Sequence, residues 1–155
     1  AAIPVPTAPK RQQTHLQRLV TALRDSVMAL GAVTTNLQLE LWACLIHESM
    51  SVYGRCFHSI QHVFDISHGA DAIQTISALF HDCIYYNVDG KFLPLQAELL
   101  RGVITDESDD GTTIVLTKVD READRTAAMV FSVFGFEGGQ VLHPPFCGEN
   151  EFLSA

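Results

Sequence analysis

The chain has 155 residues, of which 47% are hydrophobic and 18% are charged, so it holds enough apolar side chains to form the core of one ordinary domain. This composition excludes a disordered tail, and no apolar run approaches the about 18 residues that cross a bilayer, which predicts a cytoplasmic protein without membrane contact. The formal charge of -8 has the wrong sign for neutralising phosphates, so nucleic acid is disfavoured as a partner.

The two ends of the chain differ in character. Pro4, Pro6 and Pro9 fall in a stretch without hydrophobic periodicity, which predicts an extended arm over residues 1–11. Residues 12–155 are expected to form a single helical domain. Its last residues resemble the beginning of a helix just after Asn150, which favours a chain cut short at its C-terminus.

Helical periodicity dominates the domain, because apolar residues recur every three or four positions through most of its length. The predicted helices cover residues 12–30, 36–50, 55–67, 71–86, 94–104 and 120–134. These six helices predict an all-α bundle.

Two neighbouring segments lack this periodicity. Residues 106–111 hold four acidic side chains and no apolar anchor, which predicts a solvated loop. Residues 112–117 have strand propensity but lie among helices, so their assignment stays open.

The cysteines are widely spaced and form no C-x-x-C pair. This spacing predicts reduced structural thiols rather than a disulfide framework or a zinc knuckle. The four residues are Cys44, Cys56, Cys83 and Cys147.

The predicted third helix has an apolar face and a face of polar and ionisable side chains. At about 100° per residue, one side collects the apolar side chains, namely Phe57, Ile60, Val63 and Phe64. The other side collects Arg55, His58, His62 and Asp65. Asp65 is interpreted as a surface carboxylate or as the partner of Arg55.

The predicted fourth helix carries a histidine next to an aspartate, His81 and Asp82, off its apolar stripe. A helix this apolar packs on more than one side, so the pair is expected to be partly buried and to need a partner for its charge. A divalent cation fits, since imidazole nitrogen and carboxylate oxygen suit Mn, Fe, Co, Ni or Zn and leave Mg open. One histidine of the third helix would add a third ligand, and such an ion activates water and polarises a phosphoryl oxygen.

The run Arg-x-x-His-x-x-x-His-Val, followed by Phe-His-Asp, resembles the HD superfamily of metal-dependent phosphohydrolases, in particular its small bacterial members. The resemblance is close over residues 55–88 and loose outside them. It implies an HD-domain-like helical bundle with one divalent metal ion, held by His62, His81 and Asp82. It also implies that Arg55 and His58 lie beside the metal and hold the substrate phosphate, with Asp82 completing the catalytic set.

Two further residues are candidates beyond this run. The fourth ligand of the family is an Asp on a later helix, for which Asp124 is the candidate and Asp120 the alternative, unless it lies beyond Ala155. Lys91, just past a predicted turn, is a candidate to add positive charge for substrate binding. The Gly-Lys that follows the doublet in cyclic-dinucleotide phosphodiesterases is replaced here by Cys83-Ile84, which disfavours that branch.

The leading hypothesis is a phosphohydrolase that cleaves a phosphomonoester or phosphodiester by metal-activated water. Its partner would be a small phosphorylated substrate, nucleotide-like by the resemblance, and a homodimer is compatible with the sequence. One alternative is a degenerate HD-like sensor that binds a metal or nucleotide without turnover. The other is a helical interaction domain without metal, whose histidines lie at a subunit interface.

Overall fold

The computed structural model describes residues 12–108 and 112–155. The predicted arm over residues 1–11 and residues 109–111 of the predicted acidic loop lie outside the described residues. Within the described ranges, none of the helices combines the length and hydropathy that a membrane span requires.

The described part of the chain is mostly helical and contains one small sheet. In chain order its elements are α1 (His15–Ala29), α2 (Asn36–Ser49), α3 (Ile60–Ile66), α4 (Ala72–Phe80), α5 (Tyr86–Asp89), α6 (Pro94–Leu100), β1 (Ile104–Glu107), β2 (Ile114–Leu116), α7 (Arg125–Phe134), β3 (Val141–Leu142) and α8 (Glu149–Ser154). The helical prediction is confirmed in this coarse form. The all-α description is too narrow, because three antiparallel strands pair in the order β1-β2-β3.

The sheet forms around the segment whose assignment the sequence left open. Ile114 and Leu116 of β2 are buried on either side of a half-exposed residue, the alternation of a strand with one face on the core. Ile114 pairs with Leu142 of β3, and Leu116 pairs with Ile104 of β1. Residues 106–107 belong to β1, so the loop prediction was wrong for them: their backbone pairs with β2.

Side-chain caps set the starts of the helices that carry the first core. Thr14 accepts a hydrogen bond from Gln17 N at 3.2 Å, and Asp71 accepts one from Gln74 N at 2.9 Å. In both cases the glutamine side-chain oxygen accepts a hydrogen bond from the backbone N–H of the cap residue, which completes a capping box. Helices α1 and α4 therefore begin close to where the sequence predicted.

Helix α3 is much shorter than predicted. It begins after Ser59, and residues 51–59 before it are irregular. Gly54, at a φ of 107°, turns the chain in a way that side chains other than glycine rarely allow. Arg55 follows directly and its side chain is completely buried, so the polar interior, rather than helical periodicity, determines this segment.

Helix α4 also ends earlier than predicted, at Phe80, with His81 as its C-cap. The helix cannot continue through Ile84, because the N–H of Ile84 bonds to Ser154 Oγ at 3.0 Å instead of to a carbonyl one turn back. The His81-Asp82 pair therefore lies in a turn immediately after the helix. Helix α4 packs against α1 and α3, which places this turn near α3.

Two hydrophobic clusters meet at this turn. The first is formed by helices α1, α2, α3 and α4 and includes Leu79 and Cys83. The second joins the sheet to α7 and α8 and includes Ile84 and Tyr86. Because Cys83 and Ile84 belong to different clusters, the two residues after Asp82 anchor this turn to both of them.

The cysteines are free thiols, as predicted, but only one of them belongs to the core. Cys83 is buried, and burial raises the pKa of its thiol to about 12. Cys56 and Cys147 are exposed.

Candidate metal centre

Three potential metal ligands converge between α3 and the turn after α4. The donor atoms of His62, His81 and Asp82 all lie within 4.8 Å of one another. Ligands on opposite sides of one ion lie about 4.2 Å apart at ~2.1 Å bond lengths, so small rotations of these side chains suffice to bring them onto one ion. The structure therefore brings together the three residues that the sequence grouped.

A fourth imidazole lies beside them. His58 Nε2 is 3.6 Å from Asp82 Oδ2, and the His58 ring meets His62 edge-on, with 5.7 Å between centroids. Its other neighbour is Tyr85, whose ring lies edge-on at 4.8 Å. His58 precedes α3 instead of belonging to it, so this placement comes from the irregular segment and not from a helical face.

The contact between His81 and Asp82 fixes the state of both groups. His81 Nδ1 lies 2.8 Å from the carbonyl oxygen of Ala78 and donates a hydrogen bond to it. In the neutral imidazole the lone pair is therefore on Nε2. That nitrogen lies 2.7 Å from Asp82 Oδ2. At this distance the two atoms form an ion pair when His81 is protonated, and among the described residues Oδ2 has no other hydrogen-bond partner.

Such an arrangement requires a cation. Two lone pairs at this distance repel each other unless a proton or a metal ion lies beside both. Histidines that bind metals usually donate their second N–H to a carbonyl, as His81 does to Ala78. The donor set of two imidazoles and one carboxylate thus fits a borderline divalent ion.

Without a metal, a proton takes this role. The contact with Asp82 raises the pKa of His81 above its ordinary 6.5, against the opposing effect of burial. Burial raises the pKa of Asp82, but the contact with His81 and the charges of His58 and His62 outweigh burial and hold it below the ordinary 3.8. Both groups are therefore charged at every pH between the folded-state pKa of Asp82 and the folded-state pKa of His81.

This pair is expected to make the stability of the metal-free protein depend on pH. A raised imidazole pKa stabilises the fold below 6.5, and this contribution is lost as pH rises through the folded-state pKa. A lowered carboxylate pKa stabilises the fold above 3.8, and this contribution is lost as pH falls through the folded-state pKa. Urea unfolding in chelator should show the largest stability difference between wild type and Asp82→Asn near pH ~5. A difference that grows steadily to pH ~8 would contradict the ionic pair.

The structure places Arg55 differently from the sequence prediction. Its side chain is completely buried, and its guanidinium forms a bidentate pair with Asp89, with Nε 2.8 Å from Oδ1. The remaining nitrogen donates to the carbonyl oxygen of Asp82 at 2.6 Å. This placement does not fit direct contact with a substrate phosphate, and Arg55 instead holds the backbone of Asp82.

The other predicted carboxylates and cations do not join the group. Asp124 is exposed and caps α7, accepting from Ala127 N at 2.9 Å. Asp120 accepts from the backbone of residues 122 and 123, which lowers its pKa. Asp124 is therefore outside the group of three donors, and one of its carboxylate oxygens caps α7. Lys91 is exposed, in the turn after α5. The remaining candidate, Asp65, accepts from Gln61 Nε2 at 2.7 Å and is exposed.

No family model, curated protein or solved structure matches this chain. The resemblance of residues 55–88 to the HD phosphohydrolases therefore stays a prediction from the sequence.

Sequence reasoning missed the part that α8 plays in this region. Ser154 Oγ binds the backbone of Ile84, and Glu149 Oε1 accepts from Asn87 Nδ2 at 2.9 Å. These bonds fasten α8 to the segment after Asp82. They also place Glu151 near enough to His81 for its negative charge to help raise the pKa of that imidazole. The pairing spans 70 residues, and no local pattern signals it.

Proposed function

We propose that this protein is a metal-dependent phosphohydrolase with an HD-like helical bundle, and that it hydrolyses a phosphomonoester or phosphodiester. One observation carries the proposal: the donor atoms of His62, His81 and Asp82 lie within 4.8 Å of one another, and the buried Asp82 Oδ2 has no hydrogen-bond partner among the described residues apart from His81. A buried carboxylate is costly without a cation beside it, and a divalent ion held by these three residues would supply that charge in place of a proton on His81. When bound, the ion supplies activated water and polarises a phosphoryl oxygen.

The surrounding side chains have separate tasks. His81 Nδ1–H donates to Ala78 O, which would leave Nε2 free to hold the ion. His58 is one-third exposed in its side chain and lies 3.6 Å from Asp82, so it can exchange a proton with substrate or solvent. Arg55 positions the Asp82 backbone from the interior.

The thiols support a cytoplasmic location for the proposed enzyme. All four cysteines are free, and two of them are exposed. Exposed free thiols favour a reducing compartment, and the cytoplasm is one.

A metal- or nucleotide-binding sensor without turnover is the second candidate. It is favoured by the composition of the metal group, which within residues 12–108 and 112–155 has only three members. The fourth acidic ligand implied by the HD resemblance is not among them.

Metal content and turnover separate these possibilities. Elemental analysis of untagged protein is expected to find about one divalent ion per chain, and a screen of nucleotide and sugar phosphates with Mn, Mg, Co and Ni should find hydrolysis. The His81→Ala variant should lose the metal, whereas the control His68→Ala, at an exposed histidine, should keep it. Bound metal without hydrolysis would support the sensor. Absence of metal in wild type, or unchanged metal in His81→Ala, would overturn both metal-based functions.

A further inference from the structure

A large apolar cavity opens beside the candidate metal centre. It measures about 990 Å³, which is the size of a small-molecule site, and His81 forms part of its wall. Residues of α1, α2, α4, α6 and α8 line it, among them Trp42, Phe80 and Leu99. The cavity therefore shares one residue, His81, with the proposed metal group.

Most side chains in its wall are apolar, and two of the polar ones are already hydrogen-bonded within the protein. Gln96 is buried, and its amide donates to Ser49 Oγ and to the Cys83 carbonyl oxygen while accepting from Leu93 N. Ser154 is bonded to Ile84. A nucleotide base and ribose need many hydrogen-bond partners when buried, and a mostly apolar wall offers few.

The charge in the wall sets the orientation of a ligand. Among the described residues that line the cavity none is a lysine or an arginine, and Glu151 contributes a carboxylate. An anionic phosphate would therefore be repelled from this space, whereas a cation held by His62, His81 and Asp82 would attract it. The apolar part of the same molecule then fills the cavity.

Exposed leucines mark the mouth of the cavity. Leu41 is 50% exposed and Leu99 is 60% exposed, and both line it. Large apolar side chains that are open to water along a concave wall are typical of a ligand groove.

We propose that the substrate is a phosphoester of an apolar alcohol, an alkyl or aryl phosphate, rather than a nucleotide. This inference rests on the proposed function for the location of the phosphate, whereas binding of the apolar part depends on the cavity alone. Each methylene that enters the cavity should raise affinity by up to about fourfold.

Binding is measured without metal, because the single tryptophan, Trp42, lies in the cavity wall and reports occupancy by its fluorescence. Butyl, hexyl and octyl phosphate, titrated in chelator, should bind with affinity that rises along the series, and AMP should give no saturable change. Leu99→Glu should weaken octyl phosphate at least about tenfold. The matched control is Met129→Glu on α7, since Met129 is 61% exposed and does not line the cavity. Unchanged emission of both unliganded variants checks the fold.

The outcomes distinguish the cavity from the chemistry. Affinity that does not depend on chain length, or tighter binding of AMP, overturns the apolar substrate. So does a dimer that Leu99→Glu converts to monomers and that binds no octyl phosphate, because a second copy would then fill the cavity. With Mn, kcat/KM for octyl phosphate should exceed that for AMP at least about tenfold. Chain-length-dependent binding without hydrolysis of any phosphoester would sink the proposed function and leave the cavity assignment standing.

Discussion

In the Asp82→Asn protein, affinity for the divalent ion and the rate of phosphoester hydrolysis are both expected to fall by more than about 100-fold. Asp82 provides the one carboxylate among the three grouped donors. The amide has nearly the same shape but no charge, so it cannot offset the charge of the ion. Competition with a fluorescent chelator measures the metal affinity, and initial rates with added Mn measure the hydrolysis.

The fold of this variant should survive. The amide has nearly the same volume as the carboxylate, so the variant loses the ion pair with His81 without opening a cavity in the interior. Asp65→Asn is the matched control, because Asp65 is an exposed carboxylate on α3 near the same histidines in sequence. Wild-type metal affinity in Asp82→Asn, or an equal loss in Asp65→Asn, would show that the three grouped residues do not hold the ion.

The grouping of His62 with His81 and Asp82 was predictable from the sequence. The helix before His81 and Asp82 is apolar and must pack in the core, which restricts where this pair can lie. Short connections also make successive helices neighbours in space. The caps at Asp71 and at the start of α1 were likewise readable, because capping depends on residues three positions apart. What was local in the chain was predicted well.

The roles of the charged residues were less predictable. Periodicity places Arg55 on a helical face with the histidines, whereas the structure pairs it with Asp89, 34 residues further along. A helical wheel shows only which residues share a face of one helix. It does not show which distant residue will pair with a charged side chain in the folded protein. Asp124 is a different case, since an aspartate directly before a helix is a capping signal that outweighs its interpretation as a ligand.

The sheet and α8 depend on backbone hydrogen bonds between distant segments, which local sequence does not predict either. Acidic residues 106–107 have the composition of a loop, and pairing with β2 makes them a strand. Helix α4 ends because Ser154, 70 residues away, takes the N–H of Ile84. Neither effect is encoded within a window of local sequence.

Replacing Arg55 with methionine is expected to destabilise the protein by about 3 to 5 kcal/mol. Both partners of its ion pair are almost completely buried, with 0% exposure for the Arg55 side chain and 2% for that of Asp89. The substitution leaves the Asp89 carboxylate unpaired in the interior and removes the donor to the Asp82 carbonyl oxygen. Because a domain is stable by only about 5 to 15 kcal/mol, the loss should appear as a large drop in the urea midpoint.

The controls separate the buried pair from any exposed one. Arg101 pairs with Glu98 on the surface, with 75% and 59% of the side chains exposed, so Arg101→Met should change stability by no more than about 0.5 kcal/mol. The double variant Arg55→Met with Asp89→Leu removes both buried charges and should regain at least half of the lost stability, since no carboxylate is then left alone.

The double variant also tests the two roles of Arg55 against each other. If Arg55 only positions the Asp82 backbone, the refolded double variant should bind the divalent ion more weakly, while its KM for a phosphoester at saturating metal should stay within about threefold of wild type. An arginine that contacts the substrate phosphate would instead raise KM strongly while metal binding stayed intact. A stable double variant with a KM raised about 100-fold would therefore restore the phosphate-binding role that the sequence predicted for Arg55.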